Sequence, residues 1–122
     1  MNDENKDILF TEGISDLEWE SEQSGDGWDG RIHGYVPVQG NGTIDGLPWY
    51  FRARWDSWSL SISEDADTDP IEVRWRNASG WYYEDTWGEM FEAGWMPFET
   101  AWEIIIECFE KYRRNEGFTT PP

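Results

Sequence analysis

The chain has 122 residues, with 26 Asp and Glu against 9 Lys and Arg, a formal net charge of -17 and a mean hydropathy of -0.79. That length builds one domain, and that charge repels nucleic acid and anionic lipid, which excludes direct DNA or RNA binding of the usual basic kind and a role on a membrane surface. No run of about 18 apolar residues is present to cross a bilayer, and residues 1–10 lack the basic flank and apolar centre of a secretion signal, so a cytoplasmic protein is expected.

Leu, Ile, Val and Phe number only 22, and with this charge such a composition points to disorder. Ten Trp and five Tyr overturn that reading, because each ring can bury a large area and a folded chain of this mass removes roughly two-thirds of its extended surface from water. The expected core is therefore built from indole rings more than from aliphatic side chains. Cys108 is the single cysteine, which removes internal disulfides and multi-cysteine metal sites and fits a reducing compartment.

Residues 1–12 read as a loose acidic tail. Over residues 14–22, Leu17, Trp19 and Ser21 alternate with Asp16, Glu18 and Glu20 at strand period, while Ser15 and Glu18 have capping-box spacing, so strand and short helix both remain open. Residues 24–30, rich in Gly and Asp, read as a turn-rich connector. Residues 32–83 read as an antiparallel sheet, with Asp45-Gly46 as its hairpin turn. Trp49, Phe51, Ala53 and Trp55 alternate with Tyr50, Arg52 and Arg54. After a turn at Asp56-Ser57, Trp58, Leu60 and Ile62 alternate with Ser59, Ser61 and Ser63, giving one apolar and one polar face. Beyond an acidic loop at 64–69, Ile71, Val73 and Trp75 alternate with Glu72, Arg74 and Arg76 as a further strand, and Trp81-Tyr82-Tyr83 follows a turn.

A C-terminal helix is expected over residues 97–115. Pro97 suits its first position, and Phe98, Ala101, Trp102, Ile105, Cys108, Phe109 and Tyr112 form one apolar stripe at helical spacing. Glu99 and Glu103 near the start and Lys111, Arg113 and Arg114 near the end complement the helix dipole. The fold class is α+β: a single domain with an antiparallel sheet of about four or five strands packed by one long C-terminal helix.

The segment at 42–59, with Asp45-Gly46-Leu47-Pro48-Trp49-Tyr50-Phe51-Arg52 and Trp55-Asp56-Ser57-Trp58 within it, resembles a segment of small uncharacterised bacterial and phage-borne proteins, in which a similar hairpin precedes a Gly-Trp-containing C-terminal helix. The resemblance covers about half of the chain. It implies an accessory protein in the cytoplasm of a bacterial host and brings no activity to any residue.

Catalytic patterns fail individually. Cys108 falls on the buried stripe, where an apolar setting suppresses thiol reactivity, and one histidine, His33, cannot supply a usual zinc site. Asp65, Asp67 and Asp69 open like a calcium loop, but Pro70 stands where that loop needs Gly and Arg76 where it needs Glu. With so many acids, a glycosidase-like carboxylate pair carries no specificity. No enzyme activity, cofactor or metal is expected. Arg52, Arg54, Arg74 and Arg76 share the polar sheet face, where internal pairing with Glu72 and the N-terminal acids competes with an anionic ligand or a partner's acidic patch.

The acids lie in three blocks: the N-terminal segment; Glu64, Asp65, Asp67 and Asp69 with Glu72; and Glu84, Asp85, Glu89, Glu92, Glu99, Glu103, Glu107 and Glu110. On the helix, Glu99, Glu103, Glu107 and Glu110 recur every three or four residues, each step rising roughly 4.5–6 Å, opposite the core stripe. Like charges so spaced weaken a helix. Solubility explains them in part; the functional alternative is that they imitate the phosphates of nucleic acid. The expectation is a small non-catalytic inhibitor of a basic, nucleic-acid-handling protein or nuclease complex, in the style of phage anti-CRISPR or anti-restriction proteins. Its partner-binding residues are expected to be Glu64, Asp65, Asp67, Asp69, Glu89, Glu92, Glu99, Glu103, Glu107 and Glu110. Alternatives are an immunity protein against a nuclease toxin and, from another class, a carbohydrate or small-ligand module using Trp and Tyr of the sheet.

Overall fold

The computed structural model describes residues 19–120. Strands β1 (Glu20–Gly25), β2 (Trp28–His33), β3 (Val38–Ile44), β4 (Leu47–Arg54), β5 (Ser57–Ser63) and β6 (Gly80–Thr86) form an antiparallel sheet in sequence order, and a three-residue β7 (Phe118–Thr120) pairs with the free edge of β6. The fold is α+β as expected, but with six main strands in place of four or five. The connector read at 24–30 is the source of the difference: only Asp26 and Gly27 turn, and the residues on either side pair from Gly25 and Trp28 outward. β1 resolves the open choice for residues 20–22 in favour of strand; residues 14–18 and the tail at 1–12 lie outside the described residues. Asp45 and Gly46 both take positive φ, 51° and 82°, as the two-residue turn that matches strand twist requires.

The second correction concerns residues 70–74. The alternation of Ile71, Val73 and Trp75 predicts a strand, whereas the chain forms a one-turn helix, α1 (Pro70–Arg74). Asp69 caps it by accepting from the Ile71 N–H at 2.9 Å, and Pro70 at the first position has no N–H to satisfy. That cap-and-proline pair outweighs six residues of alternation. α1 lies on the sheet face carrying Ser59, Ser61 and Ser63. Those serines are buried, not solvated: Ser61 Oγ donates to the Pro70 carbonyl at 2.9 Å and Ser63 Oγ to the Thr68 carbonyl at 2.6 Å. Small hydroxyls let the loop approach and satisfy its carbonyls at once.

The other face carries the core. Helix α2 (Phe98–Arg113) follows a 3-10 turn (Ala93–Trp95) and buries Phe98, Ala101, Trp102, Ile105, Cys108 and Phe109, against Ile32, Ile44, Trp49, Phe51, Trp58, Leu60, Ile62 and Trp81 from the sheet. Trp28 and Trp49 both lie against Trp102 and Phe109, with ring centroids 5.3–6.4 Å apart. Each buried indole N–H needs an acceptor. Trp49 donates to the Asp29 carbonyl at 2.9 Å, Trp81 to the Glu116 carbonyl at 2.7 Å and Trp102 to Ser21 Oγ at 3.0 Å. Arg113, in the last turn of α2, grips Asp45 through two nitrogens (2.8 and 3.2 Å) and donates to the Asp26 carbonyl at 2.7 Å, tying the helix end to two hairpin turns.

Candidate functional site

The ten expected binding acids do not form one patch. Glu99, Glu103, Glu107 and Glu110 are exposed along one side of α2, opposite the stripe that packs on the sheet. Glu107 lies 3.9 Å from Lys111 and Glu110 3.9 Å from Arg114, loose contacts of little energetic weight. Glu89 and Glu92 precede the 3-10 turn, and the Glu92 carboxylate accepts from the Glu89 N–H. The loop at 65–69, by contrast, runs onto the serine face, with the sheet between it and α2. Asp65 accepts from the Thr68 hydroxyl at 2.9 Å and from the N–H groups of Asp67 and Thr68 at 3.0 and 2.9 Å. The Thr68 hydroxyl and then these N–H groups hold its carboxyl below the usual range. Asp65 and Asp69 thus shape the loop, and no group of three metal-binding side chains exists among the described residues.

Cys108 is buried in the core, and His33, next to inward-facing Ile32 on β2, looks to the opposite side of the sheet, so the two cannot act together. Burial, with the Glu107 carboxylate beside it, pushes the Cys108 thiol up to about 12. The native chain is expected to resist thiol reagents near neutral pH and to react once unfolded in guanidinium. An unfolded chain releases this proton from 9.0 upward while the folded one keeps it, so the thiol makes stability fall as pH rises from 9.0 toward about 12. Urea midpoints across that window test this, and Cys108→Ala should flatten its share of the slope.

Two features outside the acids stand out. At the sheet end that holds the β2–β3 and β4–β5 turns, Val36, Trp55, Met90, Phe91 and Trp95 are exposed. Val36, Trp55 and Phe91 adopt positive φ of 48°, 62° and 70°, a region that bulky side chains rarely visit and that costs about 1–3 kcal/mol each. The Trp55 and Phe91 rings touch at 5.2 Å, and Tyr35 stacks on Trp95 and Phe98 while meeting the edge of Trp19. Four of the ten tryptophans, Trp19, Trp55, Trp75 and Trp95, face solvent, whereas Trp49, Trp58 and Trp81 on the strands are buried.

The second is a hollow of about 70 Å³ on the serine face, lined by Arg52 and Arg54 from β4, Arg74 from α1, Ser59, Trp55, Trp58 and Glu84. Arg74 Nε donates to Ser59 Oγ at 3.2 Å. The Arg54 guanidinium lies over the Trp55 ring at 5.1 Å and that of Arg74 over Trp75 at 4.8 Å. Of the four arginines read on this face, three converge and Arg76 does not line the hollow. A wider hollow of about 630 Å³ over β1–β3 contains one cation, Arg31, already neutralised by Glu20 and Glu22.

Compared with known proteins, the chain matches no family model, no curated protein and no solved structure.

Proposed function

We propose that the protein is a non-catalytic binder, and inhibitor, of a basic protein that itself handles nucleic acid. The observation that carries this reading is the row Glu99, Glu103, Glu107 and Glu110, exposed on a single side of α2 in a chain of net charge -17. Between Glu99 and Glu110 the helix rises about 16 Å, with carboxylates spaced on the same scale as successive phosphates of one DNA strand. A groove built for phosphates would attract this face, and the surrounding field would steer the encounter. Trp95, exposed just before the first turn of α2, and Trp19, linked to it through Tyr35, add the aromatic area on which stable interfaces concentrate their binding energy.

The test is retention of bacterial proteins on the immobilised chain at about 0.1 M and about 0.5 M salt, with duplex DNA as competitor, since screening at the higher salt removes charge pairing between exposed groups. The expected result is a basic nucleic-acid-handling protein held at low salt, released at high salt and displaced by DNA. Retention indifferent to both salt and DNA, or no basic protein retained, counts against the reading.

A further inference from the structure

We propose that the hollow between β4, β5 and α1 binds a phosphomonoester-type dianion through the guanidinium groups of Arg52, Arg54 and Arg74. Among the described residues, Arg31, Lys111, Arg113 and Arg114 each have a carboxylate within 4.0 Å, and of the bases away from the hollow Arg76 alone lacks one. None of Arg52, Arg54 and Arg74 has such a partner there, in a chain where acids outnumber bases by 26 to 9. Local acids are present, Glu84 in the lining itself, but none forms an ion pair with these three arginines. Glu84, which lines the hollow, accepts from the Tyr82 hydroxyl at 3.1 Å, and Glu72 of α1 accepts from Asn77 Nδ2 at 3.0 Å. Three like charges around one small space repel one another, and an anion between them converts that repulsion into attraction.

Two of the three guanidiniums are also held in place before any ligand arrives. Arg54 and Arg74 each lie over the indole of the next residue in sequence, and buried Ser59 fixes the Arg74 Nε. Ser59 is therefore a positioning residue, and the side chains lose little further freedom on binding. Size and charge select the ligand. About 70 Å³ exceeds the roughly 10–15 Å³ that one water requires and gives room for one tetrahedral phosphate. A carboxylate offers two oxygens and one charge to three forked cations, whereas a terminal phosphate offers three oxygens and close to two charges. The acidic remainder of the surface rejects a polyanion, so the phosphate must stand alone or end a small molecule.

Calorimetry and arginine Nε–Hε NMR on the full chain, titrated with inorganic phosphate and separately with glycerol 3-phosphate against chloride at equal ionic strength, test this. Saturable one-to-one binding is expected, weakened about tenfold or more by R52Q and by R54Q and unchanged by R76Q. Tighter binding of the ester identifies an organic phosphate as the source, and equal or tighter binding of the inorganic ion identifies free phosphate. Because a variant can be compromised in folding, the native chain decides independently: the Arg52, Arg54 and Arg74 resonances should move to saturation while those of Arg31 and Arg114 stay. No saturable binding of either anion, shifts equal to those in chloride, or binding that R52Q and R54Q leave intact overturns the proposal.

Discussion

Alanine at Gly42 is expected to lower stability by about 3 kcal/mol or more, at the upper edge of what a single added methyl group does in a packed site, and the melting temperature by about 10 °C. Gly42 on β3 pairs with Gly30 on β2 and with Trp49 on β4. A Cβ at position 42 would sit 2.1 Å from the Asp29 carbonyl oxygen, 2.6 Å from Gly30 Cα and 2.8 Å from the Asp29 carbonyl carbon. All three are backbone atoms, so no rotamer change relieves the contact and β2 itself must withdraw. Withdrawal strains the bond from the Trp49 indole to Asp29 and uncovers Trp28 and Ile32. Gly46→Ala is the informative comparison: its Cβ would meet nothing within 4 Å, but φ is +82°, so the cost is conformational, about 1 kcal/mol. Urea and thermal melts followed by tryptophan fluorescence separate the two. If both variants lose the same stability, the β2–β3 contact is softer than argued.

Two further glycines, Gly25 and Gly30, show why part of the sheet was illegible. Asp26-Gly27 is as good a turn signal as Asp45-Gly46, but its flanks contain Gly25 and Gly30 where a strand would show apolar residues. Gly30 is there because the Trp49 indole, two strands away in the sheet, occupies the space its side chain would need; a Cβ would lie 2.1 Å from Trp49 Cζ2. That requirement comes from tertiary packing and leaves no local pattern. Helix α2 needs no such long-range information, because its stripe, its preceding proline and its terminal charges agree, and its observed bounds fall within two residues of the expected ones. The helix that replaces the strand expected at 71–76 was legible in principle, since Asp69-Pro70 is a helix start and the alternation covers too few residues to outweigh it.

Surface features divide in the same way. Exposure of Glu99, Glu103, Glu107 and Glu110 follows directly from the phase of the core stripe. The convergence of Arg52, Arg54 and Arg74 was anticipated from strand alternation, yet Arg74 reaches the hollow from a helix, and Arg76, at φ 64° beyond that helix, does not line it. The exposed tryptophans were not legible, because composition counts every indole as core material. At Trp55 the deciding fact is a left-handed backbone at a two-residue turn that must also offer its carbonyl to the Ala93 N–H at 2.9 Å. Such an arrangement costs stability, and it appears where five exposed apolar side chains share one end of the sheet.

Substitution of Glu103, Glu107 and Glu110 together by Gln is expected to leave folding nearly untouched and to cut affinity for the proposed basic partner about a hundredfold at about 0.1 M salt. The affinity estimate takes roughly 1 kcal/mol for each charge lost from a complementary interface, below the range measured for close pairs. On the stability side, removing like charges at helical spacing gains a few tenths of a kcal/mol, while the loose pairs of Glu107 with Lys111 and Glu110 with Arg114 give back a similar amount. The net change should stay within about 0.5 kcal/mol. These opposite demands make the measurement decisive, since a charged face kept for solubility alone would show neither the affinity loss nor a change in its salt dependence. The slope of log affinity against log salt should become shallower for the variant, because fewer charges on the chain take part. A variant that is equally stable and binds with undiminished affinity and slope would place the interface elsewhere, with the aromatic end formed by Trp55, Phe91 and Trp95 as the next surface to alter.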